Sequence, residues 1–283
     1  MLGATTLNEK PMIDTHVHIE RGPYTESWIN QFIERAKIAG IDELHFLEHS
    51  FRFHEFKGIY ESIGKHSSAG DYQKNWLESK CCLRLDQYKD FISILRGKSY
   101  PVTVRFGLEI CYFPGKEETI RNIISDFEWD FITGAVHWID GFGFDLRDNI
   151  PIWLKSDVNA LYRRYYALIV LAIESGIFDV IAHPDSIKCF DFYPTYNLSS
   201  LYEDVAESAK KCQVKMEFSN GLFINYGHKG LGLNRELLRV LKQKGVYLVT
   251  ASDAHRPEDV GRYIAEAENI IRELRLTSAP PDV

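Results

Sequence analysis

Short apolar runs alternate along this chain with segments whose apolar residues recur at helical spacing. Met12-Ile13 leads into Asp14-Thr15-His16-Val17-His18, and the pattern predicts a buried strand over about 12–16. Ile29, Phe32, Ile33 and Ala36 share one helical face, with Gly40 as the stop. Leu44-His45-Phe46-Leu47 predicts a second strand that ends in Glu48-His49. Leu85, Tyr88, Phe91, Ile92 and Leu95 form the apolar stripe of a helix over about 84–97. Further strands are expected at about 102–108, 131–136, 178–182, 214–218 and 246–251. Further helices are expected at about 116–126, 156–175, 199–212, 234–244 and 257–275. Residues 50–82 break the alternation: they are aromatic, Ser- and Lys-rich and without clear period. A connection of that length is usually functional or disordered, and it reads here as a cap over a site. Residues 1–10 read as a frayed polar leader and 277–283 as a loose tail.

Seven strands alternating with helices make a parallel α/β protein. The near-continuous apolar character of the strands suits a sheet buried on both faces. Polar signals fall at the C-terminal ends of the runs: His16 and His18, His49, Glu109, His137, His183, then Asp253 and His255. In a barrel those ends converge on one face, whereas in an open sheet they spread along an edge. The expected fold is therefore a distorted (β/α)7 TIM-like barrel, one domain over 1–283 with a cap insertion at about 50–82.

Composition narrows the partners. The 283 residues are 45% hydrophobic and 26% charged, with a formal net charge of −7, so nothing marks a basic nucleic-acid footprint. No apolar run reaches the length of a membrane span, and residues 1–11 lack the apolar stretch of a signal peptide. Five scattered cysteines without a C-x-x-C spacing read as reduced and mostly structural, which points to the cytoplasm.

The strand-end residues define the chemistry. In an extended chain, residues two apart point the same way, so His16 and His18 present both imidazoles to one side. Five or six imidazoles with the carboxylates of Glu109 and Asp253 exceed what one zinc ion uses. The set suits two or three divalent ions (Zn, Mn or Fe) that share a bridging carboxylate. Such a cluster activates water near neutral pH and clamps attacking and leaving oxygens.

His16-Val17-His18, Glu48-His49, Gly107-Leu108-Glu109, Val136-His137-Trp138, Ala182-His183-Pro184 and Ser252-Asp253-Ala254-His255 resemble, in order, the motifs of the PHP (polymerase and histidinol phosphatase) family. Gly141-Phe142-Gly143-Phe144-Asp145, Phe178-Asp179-Val180-Ile181-Ala182-His183 and Asp259-Val260-Gly261-Arg262 look like its histidinol-phosphate phosphatase branch. The resemblance implies a metal-dependent phosphomonoesterase acting on a small phosphorylated substrate, L-histidinol phosphate in the first instance. It implies a first metal at His16, His18, Glu109 and Asp253, with Glu109 bridging to a second at His137 and His183. His49 and His255 would hold a third, and Glu109, Asp253 and His255 would carry catalysis. Two positions depart from the branch. Tyr24 stands where many phosphatase relatives have a His ligand, with Glu20 as a substitute. Phe223 stands where a basic residue often follows, which leaves Lys229, Arg256 and Arg262 as the residues to grip phosphate.

Other readings stay open beside this one. Another phosphoesterase on the same fold, such as a protein tyrosine phosphatase, needs the same cluster. A nuclease is disfavoured by the acidic balance. An amidohydrolase-type C–N hydrolase commonly bridges its metals with a modified Lys, and here Glu109 takes that place. A non-catalytic metal-binding protein is the remaining alternative. His45, His54 and His66 are read as structural or surface residues, and His228 as a remote candidate for the leaving-group acid.

Overall fold

In the computed structural model, which describes residues 10–66 and 68–274, seven strands lie side by side in one parallel sheet. They are β1 (Ile13–His18), β2 (Glu43–His49), β3 (Thr103–Cys111), β4 (Phe131–Ala135), β7 (Val180–Ile181), β8 (Lys215–Ser219) and β9 (Leu248–Ala251), and the sheet follows that order. A separate antiparallel hairpin, β5 (Trp138–Ile139) and β6 (Phe142–Gly143), follows β4. The expected leader, apart from Lys10, and the expected tail lie outside the described residues.

The sheet curls until its edges meet. Between β9 and β1 there is a single parallel bridge, Val17 to Ala254, with the His18 N–H donating to Ala254 O at 2.8 Å. Side chains stitch the rest of the seam. Thr15 Oγ1 donates to Thr250 O and Thr250 Oγ1 to Ile13 O, each at 3.0 Å. The buried Asp14 carboxylate accepts the N–H of Ser252 and that of Gly261, each at 2.9 Å. The barrel is thus nearly closed, with hydrogen bonds from side chains replacing a full ladder at one junction.

The helices pack outside this sheet: α1 (Glu26–Ile38), α2 (Gly70–Lys80), α3 (Leu85–Arg96), α4 (Glu117–Ile124), α5 (Ile150–Trp153), α6 (Val158–Glu174), α7 (Ser199–Cys212), α8 (Arg235–Gln243) and α9 (Ile264–Glu273). Ile29, Phe32, Ile33 and Ala36 of α1 are buried, as the periodicity expects, and the Thr25 side chain caps the helix by accepting from Trp28 N at 3.3 Å. Phe32, Phe46 and Phe106 are all fully buried, and each such ring contributes about 1.5–3 kcal/mol relative to exposure. Among the described residues no helix is long and apolar enough to cross a membrane.

Besides the β5–β6 hairpin and the short α5, which were not expected, three segments differ from expectation. The segment 50–82 holds 3-10 turns and the helix α2, whose buried face is anchored by an amide. Gln73 donates to Ile63 O (2.8 Å) and Gly141 O (2.7 Å), and accepts from Gly143 N (2.8 Å) and Asn149 Nδ2 (3.0 Å). The expected strand over 178–182 shortens to Val180–Ile181. The expected last helix is split: a 3-10 turn at Pro257–Asp259 precedes α9, because the chain reverses through Gly261 (φ 70) and Tyr263 (φ 62). A Cβ on Gly261 would lie 2.7 Å from Ala39 Cβ, so this close turn requires glycine.

Candidate active site

The parallel register sets the site. His49 stands opposite Glu109 at the ends of β2 and β3, while His16 and His18 project from the end of β1. His137 follows β4 by two residues, His183 follows β7 by two, and Asp253 and His255 follow β9. His183 (φ 30) and Asp253 (φ 55) are in the left-handed region, which costs on the order of 1–3 kcal/mol for a residue with a side chain. Both hold that strain while turning a functional group inward.

The imidazoles converge on Glu109, which is buried. Its Oε2 lies 3.0 Å from His49 Nε2, 3.4 Å from His18 Nε2 and 3.7 Å from His16 Nε2. Its Oε1 lies 3.0 Å from His183 Nε2 and 3.5 Å from His137 Nε2. Asp253 Oδ1 is 3.6 Å from His18 Nε2 and 3.8 Å from His16 Nε2. Three overlapping groups, His16/His18/Glu109, Glu109/His137/His183 and His18/His49/His255, each keep their ligand atoms within 4.8 Å of one another. The structure therefore brings together all eight residues expected at the metal centre.

Outer partners orient the rings. A carboxylate only accepts, so the 2.9 Å contact between His16 Nδ1 and Glu217 Oε1 places a proton on Nδ1 and leaves Nε2 facing the cluster. Glu20 does the same for His49, at 3.1 Å from Nδ1, and approaches His255 Nε2 at 3.7 Å. The Cys111 thiol backs His137 Nδ1 at 3.2 Å, and His255 Nδ1 donates to Asp253 O at 3.0 Å. Burial works against the protonated form of His16, yet Glu217 and Glu109 outweigh it and hold its pKa well above the ordinary value. Burial and the neighbouring imidazoles of His49, His255 and His16 push His18 well below it. Burial opposes ionisation of Glu109, but the surrounding imidazoles keep its pKa well below the usual carboxylate range.

This donor set fits divalent ions. Nε2 atoms of His16 and His18 face each other at 2.9 Å, and those of His137 and His183 at 3.4 Å. Glu109 Oε2 is buried among ring nitrogens but accepts a hydrogen bond from none of them. Converging nitrogen lone pairs around an unpartnered carboxylate oxygen are what shared cations satisfy. Nitrogen and oxygen donors of this kind suit Zn, Mn or Fe. The buried Lys188 beside the His183 turn is bound to Asp185 Oδ2 (2.6 Å) and Gly232 O (2.9 Å), so it is not a bridging group.

A cavity of about 350 Å³ opens onto the cluster. Phe51, Trp76 and Lys80, all from the 50–82 segment, form one part of its wall. Trp138, Asp145 and Tyr226 form another, and Arg21 and Arg147 complete a basic mouth with Lys80. The residues expected to grip phosphate are not on this wall. Arg262 pairs with Asp259 at 3.0 Å and lies over the Tyr263 ring, while Arg256 and Lys229 are exposed. Arg256 and Arg262 flank the Pro257–Asp259 turn, and Lys229 sits in the loop before α8. Arg21, Lys80 and Arg147 are the basic groups that sequence reasoning missed; they lie in the loop after β1, at the end of α2 and at the start of a 3-10 turn. Glu217 was missed as well. Tyr24, stacked on Phe91 at 5.2 Å, and Phe223, edge-on to Tyr263 at 5.1 Å, pack locally. His45 pairs with Glu43 at 2.7 Å, and His228 with the Tyr193 hydroxyl at 3.2 Å.

Comparison with known proteins gives a consistent answer. A protein from Deinococcus radiodurans named "Probable histidinol-phosphatase" is 26% identical over 93% of this chain and 94% of its own length. One from Shewanella halifaxensis named "Probable phosphatase" is 23% identical over 93% of this chain and 85% of its own. Among solved structures, the histidinol phosphate phosphatase of Lactococcus lactis subsp. lactis Il1403, complexed with zinc, L-histidinol and phosphate, superposes with a TM-score of 0.66. It is 17% identical, and the match covers 93% of both chains, so the likeness is one of fold. The model of the PHP domain matches residues 14–226, a span that runs from the first strand past the eighth. That match covers well over half of the sequence, and this chain belongs to the PHP domain family.

Proposed function

We propose that this protein is a phosphoric monoester hydrolase dependent on two or three divalent ions, and that its substrate is L-histidinol phosphate. The products are L-histidinol and inorganic phosphate, which puts the reaction in histidine biosynthesis and in the cytoplasm. One observation carries the reading: six imidazoles and Asp253 gather around the buried Glu109 carboxylate, beside a cavity with a basic mouth. The names of the relatives support the same activity.

His16, His18, Glu109 and Asp253 would hold one ion, and His137 and His183 with Glu109 a second. His49 and His255 would hold a third, with Glu20 on His49 Nδ1 and near His255 Nε2. When bound, such ions lower the pKa of water and neutralise the phosphoryl oxygens. Glu217 and Glu20 hold the Nδ1 protons of His16 and His49, which leaves each Nε2 facing the cluster, where it would bind an ion. Arg21, Lys80 and Arg147 draw the phosphate dianion into the mouth, with Arg as the bidentate donor. Phe51, Trp76 and Lys80 of the 50–82 segment line the cavity, which supports reading that segment as its cap.

The test is phosphate release from L-histidinol phosphate by protein loaded with Mn²⁺ or Zn²⁺, beside a chelated sample and Asp253→Asn. Rapid release that chelation and the variant abolish, and that exceeds release from p-nitrophenyl phosphate, is the expected result. Activity on the generic ester alone moves the assignment to another PHP phosphoesterase, such as one acting on phosphotyrosine. No activity on either, with metal bound, removes the phosphatase reading.

A further inference from the structure

The imidazoles of the cluster differ in what stands behind them. His16 Nδ1 meets Glu217 Oε1 at 2.9 Å, His49 Nδ1 meets Glu20 Oε2 at 3.1 Å, and His255 Nδ1 donates to Asp253 O at 3.0 Å. Each of these acceptors is an oxygen. His137 Nδ1 instead meets the Cys111 sulfur at 3.2 Å, and His183 Nδ1 is buried without a partner. His18 Nδ1 lacks a partner as well, but His18 stands beside His16, which Glu217 backs. Of the three converging groups among the described residues, only that of Glu109, His137 and His183 has no oxygen behind either imidazole. Access differs too. Glu109, His16 and His18 are buried, whereas His137 and His183 are half-buried and line the cavity. His49 and His255 line it as well, but each has its oxygen acceptor.

Cys111 is held in place. It is buried at the end of β3, and its backbone N–H donates to Ser50 Oγ at 3.1 Å. Ser50 Oγ in turn lies 2.6 Å from the Tyr60 hydroxyl. The sulfur belongs to none of the three groups of converging ligand atoms, so it stands behind His137 rather than at an ion position. An oxygen acceptor behind a ligating imidazole orients the ring and raises its basicity, and losing one costs about 10–100-fold in metal affinity. A thiol sulfur accepts only weakly. From the sulfur behind His137, the bare Nδ1 of His183 and the open side of both rings, we infer that Cys111 is a positioning residue that keeps one ion site weak. That site, at Glu109, His137 and His183, takes up its ion last and releases it first. The inference rests on the metal-cluster part of the proposed function and not on the identity of the ester.

The test titrates Zn²⁺ into the metal-free protein against a chromophoric chelator, with metal analysis to count the ions bound and thermal unfolding to check folding. Wild type is expected to hold one equivalent about tenfold or more weaker than the rest. His137→Ala should remove that equivalent and His49→Ala should leave it. Cys111→Asp sets a carboxylate oxygen behind His137 and is expected to tighten the weak equivalent by about 10–100-fold without moving the others. Cys111→Ala should not tighten it. If the carboxylate prevents folding, Cys111→Ser supplies the oxygen acceptor and should tighten the same equivalent. Equal affinity for all ions, loss of the weak equivalent in His49→Ala instead, or no tightening by an oxygen acceptor overturns the inference. A sulfur-to-metal absorption band in the Co²⁺-loaded wild type makes Cys111 a ligand and overturns its positioning role. Release of phosphate from p-nitrophenyl phosphate is followed in the same samples. The expected binding pattern without any release fails the phosphatase reading alone, and release without a weak equivalent fails the inference alone.

Discussion

At the scale of single residues, the informative group is one that touches no substrate. Glu217 is fully buried and holds His16 Nδ1 with one oxygen while the other accepts the His183 backbone N–H at 3.1 Å. One carboxylate therefore sets a ring on β1 and a strained residue beyond β7. Replacing Glu217 by Gln turns one of these acceptors into a donor, and the expected cost is about 10–100-fold in metal affinity. Chelator competition with metal analysis of the purified variant measures this, and unchanged affinity contradicts the orienting role. The eight cluster residues were legible because each ends an apolar run. Glu217 was not, because Val214-Lys215-Met216-Glu217-Phe218 alternates like a half-exposed strand. In a barrel the face that looks polar can be the interior. Arg21, Lys80 and Arg147 were illegible for a different reason: surface loops carry many cations, and only the fold says which ones surround a mouth.

At the scale of elements, strand ends were predicted better than the segments between them. The amphipathic helices appear where apolar stripes mark them, as in α1, α3 and α8. The helix α2 has no such stripe because Gln73 replaces hydrophobic contact with four hydrogen bonds to Ile63, Gly141, Gly143 and Asn149. The β5–β6 hairpin was missed although its signal is present. Asp140 (φ 49) and Gly141 (φ 85) form the Asp-Gly pair that two-residue hairpins favour. Gln73 joins these two elements, so the 50–82 segment is fixed to the hairpin beside His137. The loop after β8 provides a prediction at this scale. A Cβ on Gly221 would fall 1.9 Å from Asp253 Oδ2 and 2.7 Å from Asp253 Cβ. Gly221→Ala must displace Asp253, and a shift of about 1 Å in a catalytic group can cost about 100-fold in rate. Steady-state kinetics with p-nitrophenyl phosphate, beside a thermal unfolding curve, tests this. Full activity in a folded variant means that the loop yields instead of the carboxylate.

At the scale of the whole molecule, the metal centre depends on closing the barrel. His16 and His18 lie at one end of the sheet order and Asp253 and His255 beyond the other, so these ligands meet only where β1 reaches β9. That junction has one backbone bridge, and Asp14 supplies much of the remainder by accepting Ser252 N–H and Gly261 N–H. The sequence shows Asp14 two residues before the His-x-His motif but not this role, because its donors lie 238 and 247 residues away. Asp14→Asn keeps the volume and turns one acceptor into an amide that faces an N–H. Leaving a buried donor unsatisfied costs about 1–3 kcal/mol, so the variant should unfold at a measurably lower denaturant concentration. Because the seam also aligns ligands from β1 and β9, metal affinity should fall with stability. Urea unfolding with and without Zn²⁺ separates the two effects. A lower midpoint in both conditions, with a smaller gain from Zn²⁺ than in wild type, ties closure to the site. A lower midpoint with the full gain from Zn²⁺ makes Asp14 a structural clasp alone, and an unchanged midpoint means that the threonine bonds and the Val17–Ala254 bridge suffice to close the barrel.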